Sequence, residues 1–158
     1  MIITKEIEID MGHRVPNHKS KCRNLHGHRY KIEVGVDDKI IQTPGAPDEG
    51  MVIDFSDIKT ILMEEIDARF DHGFVIYQND VFSSMFESMM EGNEIGFDGD
   101  DNQVDQPMKI RLVPFIPTAE NLAQHWFELM KPRFNECKIK LRHVRVWETP
   151  TSTATYSE

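Results

Sequence analysis

Residues able to do metal and thiol chemistry are gathered early in the chain: His13, and then the stretch "KCRNLHGHRYKIEV" from Lys21 to Val34. Cys22 stands four residues before His26, and Gly27 separates His26 from His28. On a strand, residues two apart point to the same face, so His26 and His28 project together while Gly27 adds no side chain behind them. His13 closes a preceding run of like parity, Ile3, Ile7, Ile9 and Met11, and an antiparallel neighbour would bring it alongside the pair. Three neutral imidazoles with an open fourth position are the donor set of a catalytic zinc. Cys22 fits two roles. As a fourth ligand it would close the site and make the metal structural. As a free thiol, ionised by basic neighbours, it would serve as a general base beside a metal-bound substrate. Cys137 has no histidine near it in sequence and reads as a packed or incidental thiol. His18, His125 and His143 read as a solvent-exposed, a helix-surface and a strand residue, outside the metal set.

The surroundings of Cys22 are basic. No acidic residue falls between Asp10 and Glu33, whereas Arg14, Lys19, Lys21, Arg23, Arg29 and Lys31 do, a third of the 18 lysines and arginines. Such a segment is either a solvated basic hairpin or a local site for a small polyanion. The chain as a whole carries a net charge of −9, which argues against general nucleic-acid binding. At 158 residues, 39% hydrophobic and with two cysteines, it reads as one globular domain of a reducing, cytoplasmic compartment, without a disulfide framework. "MIITKEIEID" lacks the features of a signal peptide, and no apolar run approaches a membrane span.

The elements that must position these residues follow from periodicity. Ile3 to His13 and His26 to Val36 read as strands. "TPGAPDEG" is a turn, and "MVIDFSDIKTILMEEI" is a helix with Ile58, Ile61, Leu62 and Ile66 on one stripe and Asp54 or Ser56 as N-cap. Phe82, Met85, Phe86 and Met89 are spaced for a short extra helix. In the acidic stretch after it, Asp98, Asp100 and Asn102 resemble a calcium loop. Gln103 and Lys109, however, stand where glycine and a bidentate glutamate are required, and calcium is rejected there. Met108, Ile110 and Leu112 form a strand, and a second helix opens at Thr118 and ends before Pro132. "CKIKLRHVRVWETP" is a strand and "TSTATYSE" a short last one. Together they predict an α+β domain spanning 1–158, an antiparallel sheet with two main helices on one face, and an insert at about 78–106.

His13, "CRNLHGH", "MVIDFSDIK", Asp71-His72, "PTAEN" and "VWET", in that order, resemble the 6-pyruvoyltetrahydropterin synthase superfamily. The resemblance runs from Ile2 to about Thr149 except between Gly73 and Met108. The three residues between Cys22 and His-Gly-His are similar to the queuosine-pathway branch, 6-carboxytetrahydropterin synthase. The resemblance implies a tunnelling fold and a homo-oligomer with active sites between subunits. It implies Zn²⁺ on His13, His26 and His28, with Cys22, Asp71 and His72 as catalytic acid/base groups. Glu148 would anchor the pterin, with Thr118 and Glu120 nearby. The implied substrate is 7,8-dihydroneopterin triphosphate, whose triphosphate would draw on Lys19, Lys21, Arg23 and Arg29. The pyruvoyl-forming synthase, a closed non-catalytic zinc protein and a pterin-binding module are the rival readings. The chain departs from the family pattern at "IDMGH", at "GFVIYQND" after His72, and in the long acidic insert.

Overall fold

The computed structural model describes residues 1–90 and 108–158. Strand β1 (Ile2–His13) pairs antiparallel with β2 (His26–Asp37) in a register that sets Met11 opposite His28 and His13 opposite His26. Odd residues of β1 and even residues of β2 therefore share one face, and Ile9, Met11, Tyr30, Ile32, Val34 and Val36 are buried there. Strand β5 (Lys140–Thr149) pairs antiparallel with β2, and β6 (Ser152–Ser157) with β5.

Two further strands change the expected sheet. Strand β3 (Gly73–Tyr77) was not anticipated; it pairs parallel with β1, and β4 (Ile110–Val113) pairs parallel with β3. The sheet, ordered β4-β3-β1-β2-β5-β6, is thus mixed rather than antiparallel. The run "FVIY" is apolar on both faces because both are covered. Val75 joins the main core, while Ile76 packs with Phe86 and Ile110 in a satellite core. A run without alternation does not by itself distinguish a buried strand from other apolar segments.

Helix α1 (Phe55–Leu62) is capped by Asp54, whose carboxylate accepts the Ser56 N–H at 2.7 Å, as one of the two anticipated caps. It runs on through a π turn over Met63–Asp67 into the short α2 (Ala68–Phe70). Helix α3 (Ser83–Met90) forms as the spacing predicts. Helix α4 (Ala119–Glu136) starts at the Thr118 cap but does not end before Pro132, which lies inside it. The last turn persists because Phe134 is fully buried and Arg133 pairs with Glu65 at 2.9 Å. The carbonyl freed by the proline is that of exposed Glu128, where water can satisfy it. Leu122, Trp126, Phe127 and Met130 of α4 and Ile58, Ile61 and Leu62 of α1 fill one core against the sheet.

The stretch weighed as a calcium loop falls, up to Gln103, outside the described residues, as does most of the 78–106 insert. Among the described residues no helix is long and apolar enough to cross a membrane.

Candidate metal centre and adjoining pocket

The β1–β2 register brings the three histidines together. One ring nitrogen from each of His13, His26 and His28 lies within 4.8 Å of the others. The Nε2 atoms of all three are buried and have no hydrogen-bond partner among the described residues. Their opposite nitrogens explain the orientation of two rings: His13 Nδ1–H donates to the Pro117 carbonyl at 2.7 Å, and His26 Nδ1–H to the Asn24 carbonyl at 2.8 Å. Those bonds leave the Nε2 lone pairs free, as metal ligands require. Burial pushes the His13 imidazole down to about 4, against an uptick from the Pro117 carbonyl, and burial also lowers His28. Converging and otherwise unsatisfied imidazole nitrogens form a donor set able to hold a metal ion. Cys22 lies outside that set.

Cys22 sits in a single 3₁₀ turn, Lys21–Arg23, that follows the loop after β1. It is half-buried and lines a cavity of about 260 Å³ with Val15, His18, Thr118, Glu120 and Glu148, closed by Ser152–Ala154 of β6. Glu148 follows Val144 and Val146 on the inward side of β5, at a register shift between Trp147 and Thr149. Its Oε1 lies 3.6 Å from His13 Nε2, so the metal donors and the pocket are contiguous. Thr118 accepts the Asn121 N–H as the N-cap of α4 and also lines the pocket. His18 is exposed as expected, but it also lines this pocket.

Asp71 and His72 are not in this cavity. The Asp71 carboxylate accepts the Asp10 N–H at 2.9 Å and binds His72 Nδ1 at 2.6 Å. Partial burial raises Asp71, but the Asp10 amide, the His72 ring and Lys109 outweigh it and hold the carboxyl below its usual range. His72 adopts φ of 53°, and its backbone N–H donates to the Asp10 carbonyl at 2.7 Å; the ring itself is exposed. It borders a depression of about 430 Å³ with Asp10, Gly12, Gly27, Arg29 and the candidate metal donor His28, which shares no lining residue with the Cys22 pocket. Arg29 is engaged by Asp10 through two hydrogen bonds of 3.0 and 2.9 Å, whereas Lys19, Lys21 and Arg23 are exposed around Cys22.

The packing of His125 and His143 depends on contacts distant in sequence. His125 is half-buried between Phe70 and Phe115, rather than on the helix surface. His143 lies over Gly35 and meets Glu33 at 3.1 Å. Tyr30 continues the parity of His26 and His28 and is buried against the rings of His13 and His28.

The model of the family described as 6-pyruvoyl tetrahydropterin synthase matches residues 2–158. A 6-carboxy-5,6,7,8-tetrahydropterin synthase of Haemophilus influenzae is 34% identical over 99% of this chain and 98% of its own length. One of Aquifex aeolicus is 32% identical over 99% and 97%. Among solved structures, an uncharacterized protein of Wolinella succinogenes superposes with a TM-score of 0.78 at 26% identity, over 100% of this chain and 98% of that one. The Caenorhabditis elegans 6-pyruvoyl tetrahydropterin synthase superposes at 0.64 and 22% identity, over 100% and 95%, and shares the fold.

Proposed function

The chain belongs to the 6-pyruvoyl tetrahydropterin synthase family, and we propose that it is a zinc-dependent 6-carboxy-5,6,7,8-tetrahydropterin synthase, a carbon–carbon lyase. With one water consumed in the carbon–carbon cleavage, it would convert 7,8-dihydroneopterin triphosphate to the 6-carboxy product with release of acetaldehyde and triphosphate, as a step toward queuosine. The observation that carries this reading is three unpartnered imidazole nitrogens opening beside a pocket that holds a free thiol and a carboxylate.

His13, His26 and His28 would hold Zn²⁺. When bound, the metal would acidify the substrate's side-chain hydroxyls and stabilise developing negative charge. Glu148 accepts a two-pronged hydrogen bond from the pterin amino group and adjacent N–H, fixing the ring. Thr118 and Glu120 border the ring's other edge. Cys22 as thiolate takes the proton from the side-chain carbon next to the ring, within reach because it shares the pocket with Glu148. Lys19, Lys21 and Arg23 receive the triphosphate. The Asp71 carboxylate orients His72 for proton transfer at a hydroxyl. Because that pair lies apart from Cys22 in one chain, it would serve the site of a neighbouring copy, in a homo-oligomer with active sites between subunits. The described part of the insert belongs, in this reading, to a single domain spanning 1–158.

Product analysis tests the assignment. Zinc-loaded protein and Cys22→Ala are incubated with 7,8-dihydroneopterin triphosphate, and the pterins, triphosphate and acetaldehyde are followed by mass spectrometry. Thiol-dependent 6-carboxytetrahydropterin with acetaldehyde is expected. A pyruvoyl product without acetaldehyde moves the chain to the sister activity. Intact substrate beside metal-loaded protein refutes catalysis.

A further inference from the structure

Arg14, directly after His13, has its side chain turned inward and only 12% exposed. Its Nε–H donates to the carbonyl of Arg23 at 2.7 Å, and its Nη1 donates to the Asp80 carboxylate, which is fully buried. The guanidinium lies 4.8 Å over the Phe82 ring. Asp80 is itself fixed: the same oxygen accepts the Phe82 N–H at 3.0 Å, and its backbone bonds Tyr77 and Ser83. One residue further along, the Val15 N–H donates to the Cys22 carbonyl at 2.9 Å. The turn carrying the thiol is therefore tied by two consecutive carbonyls, Cys22 and Arg23, to two consecutive residues that follow a metal-donor histidine.

We propose that Asp80 and Arg14 are positioning residues that brace the Cys22 turn against the metal centre. Asp80 belongs to the segment between β3 and α3, where the sequence leaves the family pattern. That segment thereby takes part in the site without touching it. A charge is placed in a dry environment only where it is paired, and here the guanidinium spends one donor on the carboxylate and another on the turn. A lysine in its place carries the charge but not the planar fork that reaches both acceptors. The inference rests on reading Cys22 as the reactive thiol.

The test measures the thiol directly, so it does not depend on which pterin is made. Metal-loaded wild type, Arg14→Lys and Asp80→Asn are alkylated with iodoacetamide across a pH series. Modification of Cys22 is resolved by peptide mass spectrometry, with exposed Cys137 as the internal reference. Releasing the turn is expected to speed Cys22 alkylation roughly five-fold at the high-pH plateau, with Cys137 and metal content unchanged. Turnover on the pterin triphosphate moves the other way: kcat falls roughly ten- to a hundred-fold while KM changes little. Phe82→Leu keeps both charges and removes only the covering ring. It is expected to shift both rates in the same directions by less, and it decides the matter if the charge variants do not fold. Cys22 alkylation within about two-fold of wild type in the folded variants overturns the proposal. Failure of turnover in the wild type refutes the activity and leaves the alkylation result standing.

Discussion

At the scale of single residues, the candidate metal centre includes two imidazoles, His13 and His28, whose protonation burial disfavours. His13 is fully buried, and its ring in the fold stays unprotonated down to about 4 against 6.5 for a free histidine. Between those values the unfolded chain binds a proton that the folded chain does not, so stability rises with pH across this window and falls as the solution is acidified. The shift corresponds to roughly 3 kcal/mol. For metal-free protein, the stability of wild type minus that of His13→Gln is expected to drop by about this amount between neutral pH and about pH 4, read from denaturant midpoints. Parallel pH profiles for the two proteins would show that His13 titrates normally. Bound metal should deepen the same slope, because protons and metal compete for the Nε2 atoms.

At the scale of elements, the site is a property of the β1–β2 ladder. A register slip of one residue between β1 and β2 would turn His26 and His28 to the face opposite His13. Gly27 lies between the two histidines opposite Gly12, and a Cβ there would stand 2.9 Å from the Met11 carbonyl oxygen and 3.3 Å from Gly12 Cα. Both are backbone atoms that cannot swing aside. Gly27→Ala is expected to cost about 1–3 kcal/mol and to weaken metal binding, because the strand must bow where His26 and His28 are attached. Thermal unfolding and a metal titration check both effects. Unchanged values in both would mean that the ladder does not hold the donors in place. At Gly12 the obstacle is softer: the Phe74 ring, stacked on Phe86 with centroids 5.1 Å apart.

At the scale of the whole molecule, Cys22 and Glu148 line one cavity and His72 borders another, with no common lining residue. If neighbouring copies complete each other's sites, co-assembled Cys22→Ala and His72→Ala chains regain part of the activity that each lacks alone, because some mixed sites hold both intact groups. Activity absent from every mixture would place the whole reaction within one chain.

What the sequence determined by itself was local. The two-residue spacing in His-Gly-His and the shared parity ending at His13 fixed which side chains face together, because side-chain direction on a strand depends only on the count of residues. The cap at Thr118 was legible, and that of α1 narrowed to Asp54 or Ser56, because a cap is satisfied within three residues. Tertiary structure decided the rest. The apolar run from Phe74 to Tyr77 became a parallel strand only through β1 and β4 on either side. Helix α4 continued past Pro132 because Phe134 had a core to enter. Asp71 and His72 were placed apart from Cys22 by the path of β3. Arg14 and Asp80, 66 residues apart, have no periodicity that relates them. Their pairing is set by how distant segments pack, and a buried charge has to find its partner wherever the fold puts one.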